Sequence, residues 1–426
     1  MRSFNSVARS ESEAIVFRLD GSSFPAPLVL PFDDLNYDPA CPPQSFKSWL
    51  QEKARNKPTL DRQTLYVAAV PQISETMQFM QGWTIPHPNA KTSGQQPSKR
   101  AKMTTPSPTL GDLETQDFVD YLNAFYHGFA VKELQTPLSF TPWTQKGRGV
   151  KPSDTPKYVG LTINDSTTRI RVRPSPDGAF AYQLNLNDIL DAAIALLPKD
   201  AYSIVLLIDH DMYEDENDDF CCGRAYGGSR VCVVQSARYH PYLDSTGKEV
   251  MDYEHMWPGS HCKTYLDGIC LTEDIKPSAV NKRNLVQGPI RAAIDAVSKV
   301  PAPSSLEELR ALWFSRVVRT VSHELGHCLG IGHCVYYACN MQGTAGMEED
   351  VHQPPYLCPV CLGKVSYAVN NELRINGDAK RIIYVEERYE AIADFCRQWE
   401  KDEEKAAVGL FTGFGAWIEA RLQTLE

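Results

Sequence analysis

The sequence predicts a mixed α/β fold: a twisted mixed sheet, one long active-site helix, and a smaller C-terminal part. Three observations point there. Strand-like and helix-like patterns alternate beyond residue 111. The run Ile204 to Ile208 is continuously apolar, as in a strand buried on both faces. A helical pattern also leads without a break into the histidine-rich stretch 323–333.

Taken in chain order, residues 1–85 hold short apolar segments such as Leu65 to Val70 between Pro-rich stretches, and read as an N-terminal extension packed on the catalytic unit. Residues 86–110 are rich in Pro, Ser, Thr, Lys and Gln with almost no large apolar side chains, the composition of a flexible linker or insertion. Inside it, Lys99-Arg100-Ala101-Lys102 has the charge of a nuclear signal, although such a cluster is more often a solvated loop. Residues 111–365 form the catalytic domain. Its expected elements are a helix at 114–127, one or two strands at 156–173, a helix from Asn187 to Leu197 stopped by Pro198, the strand Ile204–Ile208, and a further strand from Val231 to Ala237. Ser304 and Glu307 are spaced as a capping box, and Leu309, Trp313, Val317 and Val321 continue down one face toward His323. Residues 366–426 read as a C-terminal helical part covering the core.

The chain has 426 residues, 42% of them hydrophobic, which is ample for a large core. Its first residues lack the apolar stretch of a signal peptide, and no later run approaches a membrane span. The expected setting is therefore cytoplasmic, with the nucleus as a second compartment. There, the twelve cysteines are expected as reduced thiols and metal ligands. A net charge of -10 argues against a nucleic-acid partner.

The chemistry is concentrated in His323-Glu324-Leu325-Gly326-His327-Cys328-Leu329-Gly330-Ile331-Gly332-His333, the pattern HExxHxxGxxH. Histidines four apart lie on one helix face and can reach a single ion, with Glu324 placed to touch a water there. Gly330 can adopt a left-handed conformation, end the helix, and let the chain turn back so that His333 becomes the third ligand. Three protein ligands leave one zinc position open, which is the catalytic arrangement. Such a zinc lowers the pKa of its water to about 7, and Glu324 is expected to accept the proton as that water attacks a peptide carbonyl.

A second constellation follows at once. Cys334, Cys339, Cys358 and Cys361, spaced as Cx4C and CxxC, can close a structural tetrahedral zinc site. Disulfides, or a redox pair formed by Cys358 and Cys361, are the alternatives. With four sulfur ligands here and three imidazoles before, two zinc ions per chain are expected.

These residues resemble the archaemetzincin family, zinc metalloproteases of the metzincin clan. The resemblance rests on the HExxHxxGxxH core, the four cysteines, Met341 two residues after Cys339, Leu357 before the CxxC, and an upstream stretch Ile208 to Tyr213 followed by Phe220 and Gly223. It covers roughly residues 118 to 365 and is densest from 304 to 365. It implies a metzincin-like zincin catalytic domain, with Met341 as the Met-turn residue beneath the histidines; Met347 is the competing candidate. It also implies hydrolysis of short peptides, as an aminopeptidase. Asp209, Asp211, Glu214 and Glu216 offer carboxylates for a terminal ammonium, although an acidic loop of this kind is more often simply solvated.

The alternative function is a zinc-stabilised peptide-binding protein without proteolytic activity, taking a peptide at the sheet edge near Val231 to Ala237. An intact Glu324 favours the enzyme. Tyr336, Tyr337 and Tyr356 are candidates for stabilising the oxyanion, and the pattern selects none. His210, His240, His255 and His261 read as ordinary core or surface histidines.

Overall fold

The structure, a computed structural model, describes residues 42–87, 110–143, 156–244, 251–261, 288–344, 346–377 and 380–425. Residues 1–41, nearly all of the expected linker 86–110, and its Lys99–Lys102 cluster lie outside the described residues.

A short helix, α1 (Phe46–Gln51), precedes strand β1 (Thr64–Ala68) and the two-residue β2 (Gln72–Ile73). Helix α2 (Thr115–Phe125) and strands β3 (Ala130–Glu133), β4 (Leu138–Pro142), β5 (Tyr158–Ile163), β6 (Ser166–Pro174) and β7 (Tyr182–Asn185) follow. Helix α3 (Leu186–Ile194) is capped by the Asn185 side chain, which accepts from the Asp188 amide. Then come β8 (Ala201–Ile208), β9 (Met212–Tyr213), β10 (Gly223–Tyr226) and β11 (Val231–Gln235). Helices α4 (Pro289–Val297), α5 (Leu306–Cys328), α6 (Met347–His352), α7 (Pro359–Tyr367), α8 (Arg381–Lys401) and α9 (Gly409–Leu422) complete the described chain.

Two sheets result. The first has the order β10-β11-β8-β1-β3, parallel except for β10, which runs antiparallel to β11. The second has the order β2-β4-β5-β6-β7-β9. Strand β8 explains how they stack: Val205 and Leu207 join the core shared with the helices, while Ile204, Leu206 and Ile208 join the core under the second sheet. With side chains alternating between faces, a strand covered on both sides has to be apolar at nearly every position.

Two expectations give way. Strand β1 lies between β8 and β3, so residues 64–68 are built into the sheet rather than laid on it as an extension. Strand β11 is paired on both sides, and the edge belongs to β10, so the stretch Val231 to Ala237 offers no free backbone for a peptide.

Helix α5 is the axis of the molecule. Its capping box uses Ser305 and Glu308, one position beyond the expected Ser304 and Glu307: the Ser305 hydroxyl accepts from the Glu308 amide, while the Glu308 carboxylate accepts from the Ser305 amide. Sixteen of its residues are buried, including Arg316 and Arg319, which are neutralised by Asp244 and Asp350. Across the C-terminal helices, Phe314 stacks on Trp399 at 4.9 Å, and Phe411 packs against Trp399 at 5.0 Å. Among the described residues, no helix is long and apolar enough to cross a membrane.

Candidate active site

His323 and His327 sit one turn apart near the end of α5, and Gly330, at φ +74°, turns the chain back toward them. The ring nitrogens of His323, His327 and His333 lie within 4.8 Å of one another. His323 is buried, His327 half-buried and His333 exposed, so the cluster opens to solvent on the His333 side.

The outer nitrogens fix the tautomers. His323 Nδ1 donates to the Asn340 carbonyl at 2.6 Å, and His327 Nδ1 donates to the Ile331 carbonyl at 2.7 Å. Each Nε2 then carries a bare lone pair, and the two face each other at 3.0 Å. Two lone pairs that close repel unless a cation stands between them. Zinc–nitrogen bonds of about 2.0–2.1 Å would space the ligands by roughly 3.3 Å, so the donor set fits zinc. Burial, then the neighbouring rings, holds His323 well below the usual imidazole range and His327 at about 4, which keeps both neutral.

Glu324 packs against the sheet edge. A β-carbon on Gly223 of β10 would stand 3.2 Å from Glu324 Cγ, so a larger residue there would crowd the carboxylate. Glu324 is buried, its Oε2 has no hydrogen-bond partner, and burial raises its pKa to about 8 against the opposing pull of Arg224. A buried carboxyl oxygen left unpaired costs stability, and such costs persist mainly where a site needs them.

Beneath the histidines, Met341 is fully buried against Gly326, and a β-carbon at Gly326 would overlap its sulfur. Met347 lies elsewhere, its sulfur 3.7 Å from Cys222. Sequence reasoning missed the shell around this floor. Gln353 donates to the carbonyls of Asn340 (3.0 Å) and Gln342 (2.7 Å), and the Asn340 amide donates to the Ser322 hydroxyl. Tyr126 donates to the Ser322 carbonyl at 2.5 Å. No motif marks these residues, because each acts through the backbone of a distant segment.

The four thiols of Cys334, Cys339, Cys358 and Cys361 converge within 4.8 Å, all buried. Cys334 and Cys358 sulfurs stand 3.5 Å apart, far beyond a disulfide bond of about 2.05 Å and close to the roughly 3.8 Å between sulfurs on one tetrahedral zinc. Backbone amides donate inward: Cys358 N to Cys339 Sγ at 3.2 Å, and Cys361 N to Cys358 Sγ at 3.5 Å. Hydrogen bonds from the other three sulfurs hold the Cys334 thiol well below its ordinary range. These donors suit thiolates, so this set fits zinc too. His333 and Cys334 diverge, one to each cluster.

The remaining candidates are each held by other partners or packed in the core. Tyr336, Tyr337 and Tyr356 are buried, and Tyr356 stacks on Trp417 at 4.4 Å. In the acidic loop, Asp211 is fully buried and held by Arg238, Gln183 and Gln235, while Glu214 pairs with Arg224. His210 is packed between Trp83 and Phe140 and bonds Asp209; His240 stacks on Trp313.

Comparison with known proteins points to one family of peptidases. The profile of peptidase family M54 matches residues 294–367, the stretch that holds both ligand sets. Archaemetzincin-2 of Macaca fascicularis is 22% identical over 386 residues, covering 90% of this chain and 76% of that protein. The chain is similar to the archaemetzincins over most of its length. It is a zinc metalloprotease. Human archaemetzincin-2 is 23% identical, with 78% of this chain and 76% of that one covered. The crystal structure of an archaemetzincin from Methanopyrus kandleri aligns with a TM-score of 0.33 and 13% identity, over 72% of this chain and 96% of its own.

Proposed function

We propose that this archaemetzincin hydrolyses short peptides beside a free amino terminus, with Glu324 as the proton-transfer group, His323, His327 and His333 as ligands of a catalytic zinc, and Cys334, Cys339, Cys358 and Cys361 as ligands of a second, structural zinc. The observation that carries this reading is the buried Glu324, with Oε2 unpartnered, next in sequence to the first of three histidines whose ring nitrogens converge.

A zinc held by His323, His327 and His333 would supply Lewis acidity here, making water ionisable near neutral pH and polarising a carbonyl. The protein does the rest. Strand β10 offers a free edge next to Glu324, where an extended peptide adds as a further strand with its scissile bond over the histidines. Glu324 takes the proton of the attacking water and returns it to the departing amine. Its raised pKa suits both halves, because a base near neutral is also a competent acid. Burial of the carboxylate excludes bulk water from competing for that proton.

For the amino terminus, Glu214 is the acidic-loop carboxylate best placed, since its partner Arg224 lies on β10 and reaches Glu324 electrostatically. A substrate ammonium competes with Arg224 for it. Asp211 takes no part, being held by Arg238.

Replacing Glu324 by Gln or Ala tests the central assignment. General acid–base groups contribute about 10^2 to 10^4 in rate, so activity should fall at least roughly a hundredfold while both metals stay bound. Hydrolysis within a few-fold of the parent would remove Glu324 from the mechanism. A peptide-binding protein without proteolysis predicts no hydrolysis in the parent either.

A further inference from the structure

A helix leaves its last carbonyls without intrahelical partners, and α5 ends just where the third histidine must be delivered. At this end, three consecutive carbonyls each receive a side chain from outside the helix. Tyr202 donates to Cys328 O at 3.0 Å, Trp49 Nε1 to Leu329 O at 3.0 Å, and Gln44 Nε2 to Gly330 O at 2.9 Å. Gln44 then acts a second time, because its Oε1 accepts from the Gly332 amide at 2.9 Å. One amide group therefore spans the turn from Gly330 to Gly332, immediately before His333.

The amide is itself held. Lys364, buried on α7 three residues after Cys361, donates to Gln44 Oε1 at 2.8 Å and to Gln44 O at 2.7 Å. This buried ammonium, bonded twice to Gln44, ties that residue to the helix that Cys358 caps and Cys361 sits on. Packing of α1 alone does not require this. Phe46 and Trp49 already anchor α1, with Trp49 fully buried, and an apolar residue at position 44 would serve that purpose as well. What an apolar residue lacks is the paired donor and acceptor that match the two sides of the turn.

We propose that Gln44 is a positioning residue for His333: its amide, fixed by Lys364, sets the Gly330–Gly332 turn and so sets where the third imidazole stands. This rests on the three histidines being a metal site. Residues that orient metal ligands in this way typically change affinity by about 10–100-fold when replaced.

The test uses the full chain loaded with zinc and titrated with a chromophoric chelator. Gln44→Met removes both bonds at nearly constant volume. It should weaken the histidine site by about 10–100-fold, leave the thiol site unchanged, and keep the parental circular dichroism. Gln44→Glu keeps the acceptor for Gly332 and Lys364 and should fall between the two. If Gln44→Met does not fold, the same titration on Gln44→Glu decides the matter. Parental affinity, or equal weakening at both sites, overturns the positioning role. A His333→Ala control separates the two levels: if it retains both metals, the histidine-site reading fails and the proposal with it. If it loses one metal while the Gln44 variants behave like the parent, only the proposal fails.

Discussion

Gly326 and Met341 meet so closely that a β-carbon at 326 would lie 2.9 Å from Met341 Cε and overlap its sulfur. Helix propensity alone favours alanine over glycine here by up to about 1 kcal/mol. Overpacking of a dense core costs typically about 1–3 kcal/mol. Gly326→Ala should therefore be destabilising on balance, by about 1–2 kcal/mol in chemical denaturation, and should loosen metal at the histidines, since Met341 floors them. A stabilised variant would show that the methionine yields freely.

The thiol cluster should behave as a folding element. Structural zinc contributes directly to folding free energy, so Cys358→Ser should lose one metal per chain and much of its soluble yield. Elemental analysis of the purified parent should give two zinc ions per chain, with the histidine-bound ion the first to leave in chelator. One zinc and four freely titratable thiols would contradict the second site.

Acid should expose the Arg238 network. Burial pushes the Asp177 carboxyl up, but its hydrogen bond and charge attraction to Arg238 outweigh this, leaving its pKa below 3.8. A carboxylate with a depressed folded-state pKa stabilises the fold above the unfolded pKa, and that stability is lost as pH falls through the folded value. The parent should thus lose stability between about pH 5 and 3 more steeply than Asp177→Asn. Protonation of the metal-site histidines is common to both chains and cancels in the difference. Equal acid limbs in urea titrations would mean the pair is indifferent to folding.

Recognition of a free amino terminus has a direct assay. One short peptide and its N-acetylated copy are compared for rate and for the bond cut. The free peptide should be faster by tenfold or more, with cleavage at its first bond, and Glu214→Gln should narrow the gap. Equal rates, or cuts deep inside both, would make the enzyme an endopeptidase.

The convergence of the three histidines was legible in the sequence because they are local: with Glu324 they span eleven residues, and helix geometry alone arranges most of them. The capping box slipped by one because Ser304-Ser305 and Glu307-Glu308 are tandem pairs, and either satisfies the spacing. What stayed hidden is long-range. Strand β1 looks like an isolated apolar segment until Thr64 is paired with Ala130 and Ala201. The true sheet edge, β10, has four half-buried residues and no alternation to announce it. Gln44 reaches Gly330 across 286 positions, a contact that no periodicity encodes.

His333 and Cys334 share a peptide bond, yet face different clusters, and Cys334 N donates to Met341 O at 2.6 Å. The histidine arm cannot swing without rotating the cysteine. During synthesis the three imidazoles leave the ribosome well ahead of Cys358 and Cys361. Until those last two thiols arrive, the cluster that anchors the loop after His333 is half complete. A chain truncated before Cys361 therefore keeps all three histidines beside an incomplete thiol cluster, and is expected to bind metal at the histidines more weakly than the full chain.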